Sequence, residues 1–381
     1  MLSRFVSLLL VLAALPLAVA ESATPGLDLA SLGRALFFDP RLSNDRSMSC
    51  ASCHDAARAF TDGRDNGVGG AASLGNDGES LGDRNAPMLT YASLVPGFAK
   101  RDDGSYAGGL FHDGRARDLV AQASQPITSA KEMALPSAAV VRERVRENPA
   151  YVDAFNAELG DDALATPDRA LASVAEAIAA FESSAEFSTF DSRYDRYLRG
   201  EVTLTREEEL GRILFFSPLS NCSRCHLIDQ RENSEREIFS NFEYHNIGVP
   251  PNRRLRLANG SAQGHVDQGL LGNPGVTAAE HRGKVRVPSL RNVAITAPYM
   301  HNGVFAELKT AIVFYNRFLV DSPASRTNPE TSEPWGDAEV PATVARDLLA
   351  QGQPLSEQRV GQIEAFLKTL TDQRYEHLLE R

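Results

Sequence analysis

Cys50-Ala51-Ser52-Cys53-His54 returns later in the chain as Cys222-Ser223-Arg224-Cys225-His226, and this pair of pentapeptides decides how the rest is read. Two thiols three residues apart, with a histidine directly after, form the attachment motif of c-type haem. The thiols add to the haem vinyl groups, and the adjacent imidazole is then placed beneath the iron as proximal ligand. All four cysteines are consumed by the two motifs. One zinc site made from two C-x2-C knuckles is the competing reading. Zinc does not call for a histidine after each second cysteine, and it would have to join knuckles a whole domain apart. The expectation is two covalently bound haem c groups.

An internal repeat surrounds the motifs. Leu32-Gly33-Arg34-Ala35-Leu36-Phe37-Phe38-Asp39-Pro40 leads into the first, and Leu210-Gly211-Arg212-Ile213-Leu214-Phe215-Phe216-Ser217-Pro218 leads into the second. Both place apolar residues at helical spacing and end on proline. Ile178-Ala179-Ala180-Phe181 and Ile363-Glu364-Ala365-Phe366 then lie in amphipathic stretches that close each half. The reading is a mainly α chain of two cytochrome c-like domains, 21–200 and 201–381, each with one covalently attached haem.

The chain opens with Arg4, an apolar run from Phe5 to Leu17, and Ala18-Val19-Ala20. That order predicts a signal peptide, residues 1–20, cleaved after about Ala20. The apolar run is short for a membrane span, so the mature form is expected to have none, and to reside in the periplasm. The formal charge of −11 grows more negative when Arg4 is lost with the leader. An acidic surface argues against nucleic acid and favours a basic or dipolar protein partner.

Between the motifs, Asp62 to Asn85 is rich in Gly and Asn and reads as a surface loop. Its Gly67-Val68-Gly69-Gly70 lacks the strand-to-helix context of a phosphate loop. A short helix around Ala116–Ala123 is expected to end by Pro126. Ala138–Asn148 and Pro167–Ser184 read as helices, and Thr205 with Glu208 forms a capping box. Residues 193–200 read as the close of the first domain. The helix Leu308–Phe318 carries Tyr315, and Asn328 to Pro341 reads as a surface loop around Trp335.

With these motifs in order from about Leu32 to Leu370, the chain resembles the bacterial di-haem cytochrome c peroxidase/MauG family. The resemblance implies peroxide chemistry at the N-terminal haem and electron handling at the C-terminal haem, with His54 and His226 as proximal ligands. It matches Gln122 and Glu132, with Pro126 between them, to the pair lining the peroxide pocket. The chemistry asks for such types: a carboxylate over an open iron can take a proton from one peroxide oxygen and return it to the other, and an amide can orient the ligand. By residue type alone, Glu132 beside Lys131 reads as a solvated acid. The resemblance also matches Asn85, Thr296 and Pro298 to ligands of a calcium ion, for which oxygen donors suit.

Three departures from the family pattern stand out. No histidine lies between His54 and His112, so nothing in the glycine-rich loop can block the N-terminal iron as in classical members. Fourteen residues after His301, where peroxidases carry a methionine ligand, stands Tyr315, as in the MauG branch; Met300 is the rival ligand, and plain packing the alternative for Tyr315. Where the family has an inter-haem tryptophan stands His112, either part of an electron route or a structural hydrogen-bonding residue. The implied function is peroxide reduction, with electrons from a small redox protein (a c-type cytochrome or cupredoxin). MauG-like oxidation of residues of a partner protein is the second reading, and a plain electron carrier the third.

Overall fold

The computed structural model describes residues 27–227 and 235–380; the expected signal peptide lies outside them. The first half contains α1 (Leu29–Phe37), α2 (Leu119–Thr128), α3 (Ala138–Arg146), α4 (Pro149–Leu159) and α5 (Pro167–Glu182). The second contains α6 (Arg193–Leu198), α7 (Arg206–Phe216), α8 (Arg253–Ala258), α9 (Leu308–Val313), α10 (Pro323–Arg326), α11 (Arg346–Leu349) and α12 (Glu357–Lys368). Among the described residues the strands are two short antiparallel pairs, β1 (Ala99–Lys100) with β2 (Tyr106–Ala107) and β3 (Tyr244–His245) with β4 (Val285–Arg286). The fold is mainly helical.

The repeat in the sequence is a repeated helix crossing. Asp28 caps α1 by accepting from the Ser31 amide, and Leu32, Gly33, Leu36 and Phe37 form its buried face. That face crosses α5 so closely that a Cβ on Gly33 would sit 1.8 Å from the Ala177 carbonyl oxygen. In the second half, the Thr205–Glu208 capping box starts α7. There a Cβ on Gly211 would sit 1.8 Å from the Gln362 carbonyl oxygen of α12. Only glycine admits both crossings. Beside the first, Phe37, Phe181, Phe60 and Phe187 pack edge to face or stacked; beside the second, Phe215, Phe366, Phe239 and Tyr194 pack edge to face or tilted.

The structure departs from local sequence signals in four places. Pro126 does not end α2 but sits in its last turns, where its missing N–H leaves the Gln122 carbonyl without its helical donor. Its own carbonyl accepts from the Ser129 and Met133 amides and turns the chain towards Glu132. Helix α6 packs into the second core, because Tyr194 lies against Phe239 and Phe366 and its amide donates to the Thr369 carbonyl. Residues 62–85 are not merely surface, since Val68, Ala71, Ala72 and Leu81 are buried with Leu255 of α8. Trp335 is core too, against Phe305 and Phe314, with its indole N–H donating to the Ser325 carbonyl at 2.8 Å.

The halves are joined by buried polar contacts. Tyr91 donates to Asp372 at 2.5 Å, and Asn292 donates to Asp372 at 2.9 Å and to Thr90 at 3.2 Å. Within the second half, fully buried Arg291 forms a two-point pair with Asp195 of α6.

Candidate active site

Each motif folds into the same single 3-10 turn, Cys50–Ser52 and Cys222–Arg224. The second cysteine and the histidine of each motif donate their amides to the carbonyl of the first cysteine. This turn gathers two thiols and an imidazole at one place. None of the four cysteines is in a disulfide, so both pairs are available to a ligand.

The imidazoles are oriented alike. His54 Nδ1 lies 2.9 Å from the Phe60 carbonyl oxygen, and His226 Nδ1 lies 3.0 Å from that of Phe239. Both phenylalanines adopt positive φ, 56° and 57°, which turns their carbonyls back towards the rings. A donated Nδ1–H leaves the Nε2 lone pair to bind a metal. Burial, the leading cause, lowers the pKa of both rings, to about 4 for His226, and so keeps them in the neutral, ligating form.

Both motifs face one cavity of about 880 Å³ between the halves, whose walls are largely apolar. Among the described residues, no group of three or more His, Cys, Asp or Glu side chains gathers to hold a metal ion directly, so the zinc reading finds no site. The donor set instead fits two haems: paired thiols beside a neutral, carbonyl-held imidazole, twice, around one apolar space.

Gln122 and Pro126 of α2, and Glu132 on the turn after it, line this cavity with Cys50, Cys53 and His54. Gln122 is half-buried, whereas Glu132 is exposed at the rim. Tyr315 lines the cavity with Cys222, Cys225 and His226. It lies not on a continuing α-helix but on the 3-10 turn Phe314–Phe318 after α9. Burial, then the nearby thiols, push its phenol pKa up, so a phenolate there requires a bound cation. Met300 also reaches the cavity wall.

His112 lies where the halves meet. Its Nε2 is 3.0 Å from the Asn85 carbonyl oxygen, and its ring is edge-on to His301 at 6.4 Å. Burial, then the charge of Arg84, pushes its pKa down to about 3, so the ring is neutral near pH 7. Arg84 bridges the halves, with Asp113 at 2.6 Å on one side and Asp267 at 2.6 Å on the other. Asn85 donates its amide to the His301 carbonyl and its side chain to Gly70, which abuts Pro298. Asn85, Thr296 and Pro298 all line the cavity.

Comparison with known proteins agrees with this geometry. The profile of the family described as "Di-haem cytochrome c peroxidase" matches residues 28–203. The chain is 51% identical over 362 residues to the methylamine utilization protein MauG of Paracoccus denitrificans, covering 95% of this chain and 93% of that protein. It is 31% identical over 307 residues to the cytochrome c551 peroxidase of Nitrosomonas europaea, covering 80% and 78%. The chain belongs to the di-haem cytochrome c peroxidase/MauG family. A crystal structure of the diheme peroxidase BthA from Burkholderia thailandensis superposes with a TM-score of 0.78 at 34% identity, covering 91% of this chain and 87% of that one. As a member of this family the chain is an oxidoreductase of the cytochrome-c peroxidase type, and the family implies two haem cofactors.

Several site residues of this family member escaped sequence reasoning. The carbonyls of Phe60 and Phe239 had one faint signal, since each is an aromatic followed by a hydroxyl residue, six residues after His54 and thirteen after His226. Glu182, 3% exposed at the end of α5, has a carboxyl oxygen without a hydrogen-bond partner among the described residues. Arg286 of β4 also lines the cavity. Neither belongs to a motif.

Proposed function

We propose that this protein is a periplasmic di-haem c-type peroxidase, exported by a signal peptide cleaved after about Ala20. In this reading it reduces hydrogen peroxide at a haem held by Cys50, Cys53 and His54. Cys222, Cys225, His226 and Tyr315 would hold a second haem, which would supply the relay for incoming electrons. Each half, with α6 belonging to the second, would carry one haem. The observation that supports this best is the single cavity lined by both motifs together with Gln122 and Glu132.

Bound haem supplies the one-electron redox chemistry that protein side chains lack. The residues supply position and protons. Each peroxide takes up two electrons and two protons and leaves as two waters. The Gln122 amide orients the peroxide, and the Glu132 carboxylate accepts the proton of the nearer oxygen and donates it to the departing one. The exposure of Glu132 at the rim lets it exchange protons with solvent. No histidine in residues 62–85 can occupy the first iron, so peroxide reacts without prior reduction. Asn85, Thr296 and Pro298 would hold a calcium ion, and His112, bonded to the Asn85 carbonyl, would help to hold the route between the haems.

A second reading is MauG-like oxidation of residues of a partner protein. Tyr315 in the second motif's wall and the 51% identity to a MauG protein favour it. Steady-state peroxide consumption with a panel of reduced c-type cytochromes and cupredoxins tests the choice. Fast turnover with one of these donors is expected. Slow turnover with all of them, alongside peroxide-dependent oxidation of a candidate protein substrate, would replace peroxide removal by the second reading.

A further inference from the structure

Three arginines line the cavity, and two of them are paired. Arg84 binds Asp113 and Asp267, and Arg115 binds Asp113 at 3.1 Å. The third, Arg286, has no carboxylate within ion-pair reach among the described residues, and its buried Nε has no hydrogen-bond partner. Its backbone is firmly placed. The Arg286 amide donates to the His112 carbonyl at 2.9 Å, and β4 pairs with β3 through Tyr244 opposite Arg286. The guanidinium lies 5.8 Å from the centre of the Phe242 ring, and the half-buried side chain lines the cavity.

A guanidinium cannot shed its proton to escape such a place. Half-buried in the cavity wall and without a carboxylate partner, this fixed charge suits an anion bound in the cavity. The proposed function supplies one, because each haem carries two carboxylate side chains. The planar fork of arginine matches a carboxylate at two points.

We propose that Arg286 binds a carboxylate of the haem held by the second motif and sets that haem's reduction potential. The inference rests on the two-haem reading. The second haem is assigned because β3 and β4 wall the His226 side of the cavity. Phe239, whose carbonyl holds His226, is followed by Ser240, and the Ser240 hydroxyl donates at 2.8 Å to the carbonyl of Val287, the residue after Arg286. A fixed positive charge beside a haem favours its reduced form.

The test uses the mature holoprotein and Arg286→Met, Arg286→Gln and Arg286→Lys. Covalent haem is counted by intact mass, and the two midpoint potentials are measured by spectroelectrochemistry. The Met and Gln variants are expected to keep two haems and to shift the C-terminal potential downward, with a smaller change at the N-terminal haem. Lys, which keeps the charge, should restore most of the difference. Unmoved potentials in either neutral variant, or a shift confined to the N-terminal haem, would overturn the assignment. Should Met fail to fold, Gln carries the same reading, since it keeps a donor and loses only the charge. A parent protein without two covalent haems would instead overturn the function on which the inference stands.

Discussion

Replacing Glu182 by glutamine is expected to change the way stability depends on pH. Glu182 ends α5, lines the cavity, and is 3% exposed with one carboxyl oxygen lacking a hydrogen-bond partner among the described residues. Burial alone pushes its pKa up from 4.5 to about 8. The unfolded chain releases this proton near 4.5, while the folded protein holds it to about 8. Between those values the folded state binds more protons, so stability present below the lower value is lost as pH rises through the window. One unit is worth about 1.4 kcal/mol, so going from about pH 5 to about pH 8 removes about 3.5 kcal/mol. Glutamine has the same shape and no proton to lose. Its buried amide costs about 1–2 kcal/mol where a partner is missing, which leaves the variant slightly weaker in acid. The stability curves of the two proteins should therefore cross. Guanidinium denaturation of the holoprotein, followed by far-ultraviolet circular dichroism and haem absorbance at several pH values, measures this. With a slope of about 6 kcal/mol per molar, the midpoint difference between the proteins should change by roughly 0.6 M across the window. Parallel curves would show that Glu182 is not held neutral by burial.

Glu132→Gln should lower the rate of peroxide consumption about 10²–10⁴-fold while both haems remain attached, as stopped-flow kinetics would show; unchanged kinetics would return Glu132 to a solvated acid of the rim. Tyr315→Phe should keep covalent haem and alter the low-temperature electron paramagnetic resonance signal of the second haem only, and an unaltered signal would remove Tyr315 from its coordination. Ala in place of Gly33 or Gly211 puts a methyl 1.8 Å from a carbonyl oxygen of the crossing helix, so each should cost about 3 kcal/mol or more. Parent-like denaturation midpoints in either variant would mean that the crossing is looser than described.

The sequence by itself determined what depends on neighbours a few residues away. The C-x-x-C-H pentapeptides, the helices that precede them and the glycines at matching places are short-range patterns folded alike in both halves, and the Thr205–Glu208 capping box is another, found in the second half. Tertiary structure decided what depends on the other face of a contact. Pro126 looked like a helix stop because a local rule counts its lost N–H, but the turn held by Met133 and Ser129 keeps it inside α2. Residues 62–85 and Trp335 looked like surface because their composition is that of loops, yet Leu255 covers one and Phe305 with Phe314 covers the other. The same limit hid the site's charges. Arg84 and Arg286 are both arginines in unremarkable sequence, and only the fold gives one of them Asp113 and Asp267 and leaves the other facing the cavity. An ion's state is set by what surrounds it within a few ångströms, and residues that distant in the chain meet only when both halves close around one space.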